Sequence, residues 1–246
     1  MEPYPTTRYL APWSRMGIGA DLSPLGIGLK AAVNVNTYMD ARLDGDYFSI
    51  TPGHFEIEGF NVYANFHLDS AAAMLDVYPF RSIWRLSAGL MFLNGNQISA
   101  TTRVAGGTSF TVDGHTYYSA KPNLVTGATP LTGSGVFGLH DRNPAFAVSG
   151  GFGNFVIHRA YPHWSFPAEF GVIFTGAPTI NVNLSGWVCT NNSETQCSDL
   201  SDTANPITVE FNNSLNAQLN KWRRSFSSFP IYPIFSYGVS YSFGIP

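Results

Sequence analysis

The sequence predicts an all-β fold, namely an antiparallel up-and-down transmembrane β-barrel of eight strands with two long outward insertions. Residues 231–243 alternate strictly, because bulky side chains occupy the odd positions and only Ser or Gly occupies the even positions from Ser236 onward. Charged residues make up 12% of the chain, about half of the ~25% usual in soluble domains. No stretch approaches the roughly 18 apolar residues of a membrane-spanning helix, so a membrane protein of this sequence would cross with strands.

Eight segments alternate with period two, which is typical of strands with two unlike faces. In chain order they are residues 15–22, 25–35, 39–44, 64–78, 85–92, 146–153, 166–184 and 231–243. The apolar residues change phase within residues 64–78, and we expect a β-bulge near residues 71–73 to cause the change. Residues 1–14 are rich in Pro and Thr and are predicted to be irregular, so a single barrel domain covers residues 15–246.

The connections between these segments fall into two classes. The short ones lie at residues 34–37, 79–84 and 155–164, and the long polar ones at residues 49–62, 96–144 and 186–229. Ser23 and Pro24 form a short turn at the long-loop end. Short turns at one end and long loops at the other are typical of outer-membrane barrels, whose long loops face outward.

The two longest connections contain structure of their own. Residues 96–144 include the hairpin signals Gly106-Gly107 and Asp113-Gly114 among β-forming residues. Residues 186–229 include apolar residues at helical spacing, which predict a short helix: Phe211, Leu215, Leu219 and Trp222.

Aromatic residues cluster beside the short turns and at the end of the last strand. In a membrane they would form an interfacial girdle, whereas in a soluble β-sandwich they would form the core. They are Tyr38, Tyr78, Phe80, Trp84, Tyr161, Trp164, Phe166, Tyr241 and Phe243.

The few charges within the predicted strands share the face that carries small residues. They are Arg15, Asp21, Lys30, Asp40, Arg42, Asp69, Arg85 and Glu169, while Asp44 and Asp76 are left out because they lie near strand ends. On the lipid face each Arg or Lys would cost ~2–4 kcal/mol near the membrane midplane. A narrow barrel is filled by its own side chains, so these residues are predicted to form an ion-paired network in the lumen.

Catalytic and cofactor chemistry find little support in the sequence. The six histidines lack the spacing of metal ligands, and a Gly-x-Ser-x-Gly motif is absent. The strand carboxylates share their face with arginines, which favours ion pairing over acid–base catalysis. We therefore expect no catalytic residue, no metal and no cofactor. The net charge of −3 argues against nucleic acid as a partner.

The two cysteines, Cys189 and Cys197, are predicted to form a loop disulfide in an exported protein, with two unpaired thiols as the alternative. Residues 1–5 do not read as a signal peptide, and we expect one to have been removed.

Lys221, Trp222, Arg223 and Arg224 form a basic cluster at the end of the predicted helix. Outside the membrane it could contact lipopolysaccharide phosphates or a protein partner. The alternative is an ordinary positively charged helix C-terminus.

The alternation over residues 15–243, the short-turn and long-loop pattern and the aromatic last strand resemble small bacterial outer-membrane β-barrel proteins of the OmpA/OmpW-like general type. The resemblance implies an outer-membrane location with lipid and lipopolysaccharide around the barrel. It also implies recognition by the barrel assembly machinery, for which Tyr241 and Phe243 match the terminal aromatic signal in position and type. Residues 244–246, which follow Phe243, depart from that pattern.

Three hypotheses of function follow. The first is a non-enzymatic outer-membrane barrel with a structural, anchoring or surface-interaction role, whose extracellular loops meet a protein partner or a second copy. The alternative is a narrow channel or carrier for small or apolar solutes, which the resemblance suggests. The second alternative is a soluble secreted β-sandwich that binds ligand through its insertions.

Overall fold

A computed structural model describes residues 11–57, 60–79, 83–139, 142–156, 162–227 and 230–245. The strands are β1 (Arg15–Ser23), β2 (Gly26–Asn36), β3 (Met39–Ile50), β4 (His54–Ile57), β5 (Phe60–Val77), β6 (Trp84–Asn94), β7 (Gln97–Arg103), β8 (Ser109–Val112), β9 (His115–Ser119), β10 (Thr132–Gly138), β11 (Ala145–Phe152), β12 (His163–Ser165), β13 (Ala168–Phe174), β14 (Thr179–Ser185), β15 (Trp187–Cys189), β16 (Cys197–Asp199) and β17 (Tyr232–Gly244). The helix α1 (Pro206–Ser227) precedes the last strand. In this part of the chain no helix is both long enough and apolar enough to cross a membrane.

One large antiparallel sheet pairs back on itself as a ring. The ring runs through β1, β2, β3, β5, β6, β11, β13 and β17, and β17 pairs again with β1. Each ring strand thus pairs with the ring strands before and after it in the chain, and the first pairs with the last. The all-β antiparallel class that the alternation predicts is confirmed.

The outer surface of the ring carries exposed apolar side chains, which we call the apolar belt. Leu43 is 59% exposed and Leu29 is 70% exposed, although both lie in the middle of paired strands. The belt consists of Ile18, Leu22, Ile27, Leu29, Leu43, Leu75, Leu86, Leu90, Phe92, Phe146, Phe152, Phe170, Phe174 and Phe235.

The expected aromatic girdle is present only in part. Tyr38, Trp84, Trp164 and Phe166 are exposed at the short-turn end, and Tyr241 lies 5.0 Å from the ring of Trp164 and 6.3 Å from that of Phe243. Tyr78 is fully buried, so its placement in the girdle was wrong: it directly follows β5 and keeps the inward, even-numbered phase of that strand. Phe80 and Tyr161 lie outside the described residues.

Strand β5 passes from one environment to another along its length. The predicted bulge is confirmed as a register shift opposite β6 between Ala71 and Ala72. It does not change the face of β5, because even-numbered residues are buried on both sides of the shift, from Met74 down to Leu68 and Ala64. Our explanation of the phase change was therefore wrong. The apolar residues change face because β5 leaves the apolar belt and continues into a sheet with an apolar inner side.

The long connections form the structure beyond the belt. The first half of β5 pairs with β7, and β10 and β14 extend that sheet. A second sheet, in the order β16-β15-β9-β8, packs with α1 around a separate core. Its buried residues are Val104, Phe110, Val112, Tyr117, Leu131, Val188 and Phe211. We call the second sheet and α1 the outer module.

One strand boundary differs from the prediction. Residues 166–184 were expected to be a single ring segment, but β13 ends at Phe174 and the chain turns at Gly176, whose φ is 79°. Residues 179–185 then pair with β10 and not with the ring. Glycine adopts such a φ without steric cost, so the sharp turn separates two strands that share one alternating pattern.

Candidate functional site inside the ring

The side chains that point into the ring carry most of the predicted charges. Arg15, Asp21, Lys30, Asp40, Arg42, Arg85 and Glu169 are all buried. Asp69 is the exception, since it occupies an odd position of β5 and its side chain is 33% exposed, 3.5 Å from His67. Including Asp69 among the lumen charges was therefore wrong, because it lies beyond the apolar belt on the outer face of the strand.

Glu169 on β13 is the centre of the buried charges. Its Oε2 accepts hydrogen bonds from Arg42 Nη1 at 3.0 Å, Arg85 Nη2 at 2.7 Å and Lys30 Nζ at 3.4 Å. Its Oε1 accepts from Arg42 Nη2 at 3.0 Å, and the Ser149 hydroxyl donates to the same oxygen. The paired contact with Arg42 is the bidentate geometry that favours arginine over lysine. One carboxylate thus links cations from three other strands across the interior.

Arg42 and Lys30 extend these contacts to further carboxylates. Arg42 Nε lies 2.9 Å from Asp76 and Arg42 Nη1 lies 2.9 Å from Asp44. Lys30 Nζ lies 2.9 Å from Asp21. Asp44 and Asp76 were not among the predicted lumen charges because they lie near strand ends, although both share the even-numbered, inward phase of their strands. The alternation itself was the signal that would have identified them.

Part of the predicted short turn at residues 155–164 folds back into the ring. After β11 the chain turns at Gly153, whose φ is 85°. This turn leads to Phe155, which is buried with only 2% of its surface exposed. The Phe155 ring centroid lies 4.7 Å from Arg85 Cζ, 5.2 Å from Arg42 Cζ and 5.7 Å from Lys30 Nζ. Cation–π attraction is strongest where the cation is shielded from water. Residues 153–156, which we call the inward segment, therefore rest on the same cations that bind Glu169.

A glycine on β1 makes room for the inward segment. A methyl group at Gly17 would lie 2.0 Å from the Phe155 carbonyl oxygen, far inside contact distance. Arg85 Nη1 also donates to the Gly153 carbonyl at 3.2 Å, and Asp40 lies beside Val156 and the buried Tyr78. The short-turn end of the ring is therefore filled by protein.

The opposite end of the interior is closed by apolar side chains. Leu25, from the turn between β1 and β2, packs with Met74, Met91 and Ile173. Between this layer and the charges lies a cavity of about 40 Å³ with Asp21, Lys30 and Ser236 in its lining. A space of that size with charged and hydroxyl groups in part of its lining accommodates ordered water. The interior thus consists of an apolar layer, a charged layer and the inward segment.

The chemistry of this interior is that of an ion-paired core. Both oxygens of Glu169 are hydrogen-bonded, and a carboxylate in that state has little capacity to accept a substrate proton. Within the described ranges there is no group of three or more His, Cys, Asp or Glu residues that could hold a metal ion.

The basic cluster of α1 lies far along the chain from these charges and is partly engaged. Lys221 forms an ion pair with Asp113, at the turn between β8 and β9. Arg223 Nη2 donates to the Ile180 carbonyl at 2.7 Å. Trp222 and Arg224 are exposed. The cluster therefore attaches α1 to the surrounding strands through two of its members, and its contact with lipid or a partner stays a prediction.

The remaining predicted residues lie at the two ends of the molecule. Cys189 and Cys197 form a disulfide between β15 and β16 in the outer module. Tyr241 and Phe243 lie on β17, opposite Ile18 and Met16 of β1. Their role as an assembly signal stays a prediction.

Substituting Gly17 with Ala should displace the inward segment, because the new methyl group would overlap a backbone oxygen that cannot rotate away. We expect a loss of ~1–3 kcal/mol in the free energy of unfolding, as for other overpacked sites. The control is Gly45→Ala, where a methyl group would meet only the Ser70 carbonyl at 3.9 Å. Urea unfolding in lipid vesicles measures the free energy of unfolding of both variants. Equal values for Gly17→Ala and Gly45→Ala would contradict the close contact at Gly17.

Comparison with known proteins finds no matching family model and no matching curated protein. Two of the solved structures that match are of CarO and CarO2 from Acinetobacter baumannii. CarO has a TM-score of 0.54 at 17% sequence identity, covering 97% of this chain and 100% of its own. CarO2 has a TM-score of 0.53 at 17% identity, covering 94% and 99%. The specific resemblance to the OmpA/OmpW-like type stays a prediction. At this level of identity the likeness establishes the fold, which this chain shares with the CarO structures over nearly its whole length.

Proposed function

We propose that this protein is a non-enzymatic bacterial outer-membrane β-barrel of eight strands, closed to solutes, which anchors the outer module at the cell surface. The observation that carries the proposal is the filled interior, in which Glu169, its three cations and Phe155 occupy the ring together. The structural role is therefore favoured over transport.

The apolar belt supports the membrane location. Its side chains face away from the ring, whereas the charges face inward, which is the reverse of a soluble sheet protein. Ring strands such as β2, with 11 residues, also suit the roughly 9–11 residues that a tilted strand needs to cross a membrane. The fold shared with CarO of a bacterium is consistent with this location. A soluble β-sandwich would leave the belt without a partner.

The channel alternative finds less support in the interior. A solute would have to pass the Leu25 layer, the ion pairs of Glu169 and the inward segment in turn. The cavity of about 40 Å³ between these layers is too small for a transported metabolite. Conduction would require each of these three layers to rearrange.

The outer module supports a role in surface interaction. It has its own apolar core and a disulfide, which is typical of exported proteins. The turn between β9 and β10 also presents Leu124 and Val125, which are both fully exposed. Asn123 Oδ1 holds this turn by accepting from the Val125 amide at 2.9 Å. A fixed pair of exposed apolar side chains is suited to a protein partner that covers it.

Other proposed partners follow from the location. The exposed Arg224 and Trp222 contact lipopolysaccharide phosphates in this proposal. Tyr241 and Phe243 bind the barrel assembly machinery. A second copy of the chain is the further possible partner.

Replacing Leu43 by Arg tests the membrane location. At a lipid-facing position the charge should cost ~2–4 kcal/mol, whereas an exposed substitution on a soluble protein usually changes stability by less than about 0.5 kcal/mol. The matched control is Ser49→Arg, on the same strand and the same face but beyond the belt, where we expect little effect. Urea unfolding after reconstitution into vesicles gives both values. Two equally small effects would contradict a lipid-facing belt.

Planar-bilayer recording tests the closed interior. We expect the reconstituted wild-type protein to give no stable single-channel current, because three layers of side chains block the lumen. An open porin recorded under the same conditions provides the positive control. Reproducible current steps from the wild-type protein would overturn the closed barrel in favour of the channel.

A further inference from the structure

A groove crosses the outer surface of the ring over β6, β11 and β13. It has a volume of about 590 Å³, and its walls are mainly apolar side chains of the belt. The floor is Gly150, which is paired with Leu86 on one side and with Phe170 on the other. Leu86 is 60% exposed and Phe170 is 55% exposed. Their side chains therefore project as ridges on either side of Gly150, which has no side chain.

The fold does not require glycine at position 150. A methyl group there would meet no atom closer than the Arg85 carbonyl and a Leu86 methyl, both at 3.8 Å, and the φ of Gly150 is not positive. Neighbouring glycines differ, because a methyl group at Gly151 would lie 2.4 Å from the Ala168 carbonyl oxygen and one at Gly171 would lie 2.3 Å from that of Val148. The absence of a side chain at Gly150 therefore shapes the outer surface and relieves no internal clash.

The position of the groove indicates what fills it. It lies within the apolar belt and ends toward the short-turn side at the edge-to-face contact of Trp84 and Phe152, whose centroids are 6.1 Å apart. Val148 and Val172 continue the lining away from that end. Such a surface is almost entirely apolar, so it offers little to a polar ligand but matches a hydrocarbon chain through dispersion contacts.

We propose that this groove binds one acyl chain of a phospholipid from the periplasmic leaflet. The proposal rests on the membrane location given under Proposed function. It goes further by assigning a defined lipid site to one side of the barrel. The chain lies along β11 between Leu86 and Phe170, over Gly150, with the lipid headgroup toward Trp84. The rest of the belt contacts lipid that exchanges freely.

The test uses the full-length protein in vesicles of phosphatidylethanolamine and phosphatidylglycerol that contain a phospholipid with a photoreactive diazirine in its acyl chain. After illumination, mass spectrometry maps the labelled peptides around the ring. We expect several-fold more label on β6, β11 and β13 than on β2 and β3. In Gly150→Leu, which fills the groove, this excess should disappear.

Gly45→Leu is the matched control, because Gly45 is a ring glycine on the outer face of β3, where an added carbon would also meet only ordinary contacts. It should keep the wild-type labelling of the groove. Equal labelling of all ring strands in the wild-type protein would overturn the lipid site while leaving the membrane barrel intact. Absence of label from every ring strand would overturn the membrane location as well. A groove that stays unlabelled in a wild-type dimer, together with dissociation of that dimer by Gly150→Leu, would show that a second copy, and not a lipid chain, occupies the groove.

Discussion

The carboxylate of Glu169 is the buried charge on which the interior of the ring depends. It is shared by Arg42, Arg85 and Lys30, and two of these cations in turn hold Asp76, Asp44 and Asp21. Removing one partner from a buried ion pair typically costs 3–5 kcal/mol, because the other charge is left uncompensated. The same cations face the ring of Phe155. The strands of the wall and the inward segment are therefore held by one set of electrostatic contacts, and the lumen is filled as a consequence.

The second constraint is a reversal of polarity along the strands. Within the belt, apolar side chains face outward and charges face inward. In the part of β5 that precedes Ser70, the buried residues Leu68 and Ala64 are apolar, while His67 and Asn65 occupy the other face. One continuous strand thus presents an apolar outer face along one part of its length and a polar outer face along the other, without changing its direction. The outer module can consequently pack as a soluble domain does, around Phe110, Tyr117 and Phe211.

Alternation was sufficient to predict the ring strands and the inward phase of Arg42, Arg85 and Glu169, because period two reports directly which face a residue occupies. It could not predict which residues meet across the interior, since that depends on the register of strands distant in the chain. Asp44 and Asp76 were missed for a different reason: they lie near the ends of the predicted strands and were left out on that ground, although they share the inward phase. The inward segment has no periodic signal, and the function of Gly17 becomes evident only when the backbone of Phe155 lies against it. Residues 179–185 alternate as well as any ring strand does, so the sequence pattern could not distinguish a strand in the ring from one beyond it.

The central claim is that the pairing of Arg42 with Glu169 holds the interior together, and a double-mutant cycle tests it most directly. The free energy of unfolding in vesicles would be measured for the wild-type protein, Arg42→Met, Glu169→Gln and the double variant. A bidentate, buried contact predicts a coupling of ~1.5–3 kcal/mol, in the upper part of the range found for residues in direct contact. Single-variant losses that simply add would contradict the claim, because Arg42 and Glu169 would then stabilise the ring independently of each other.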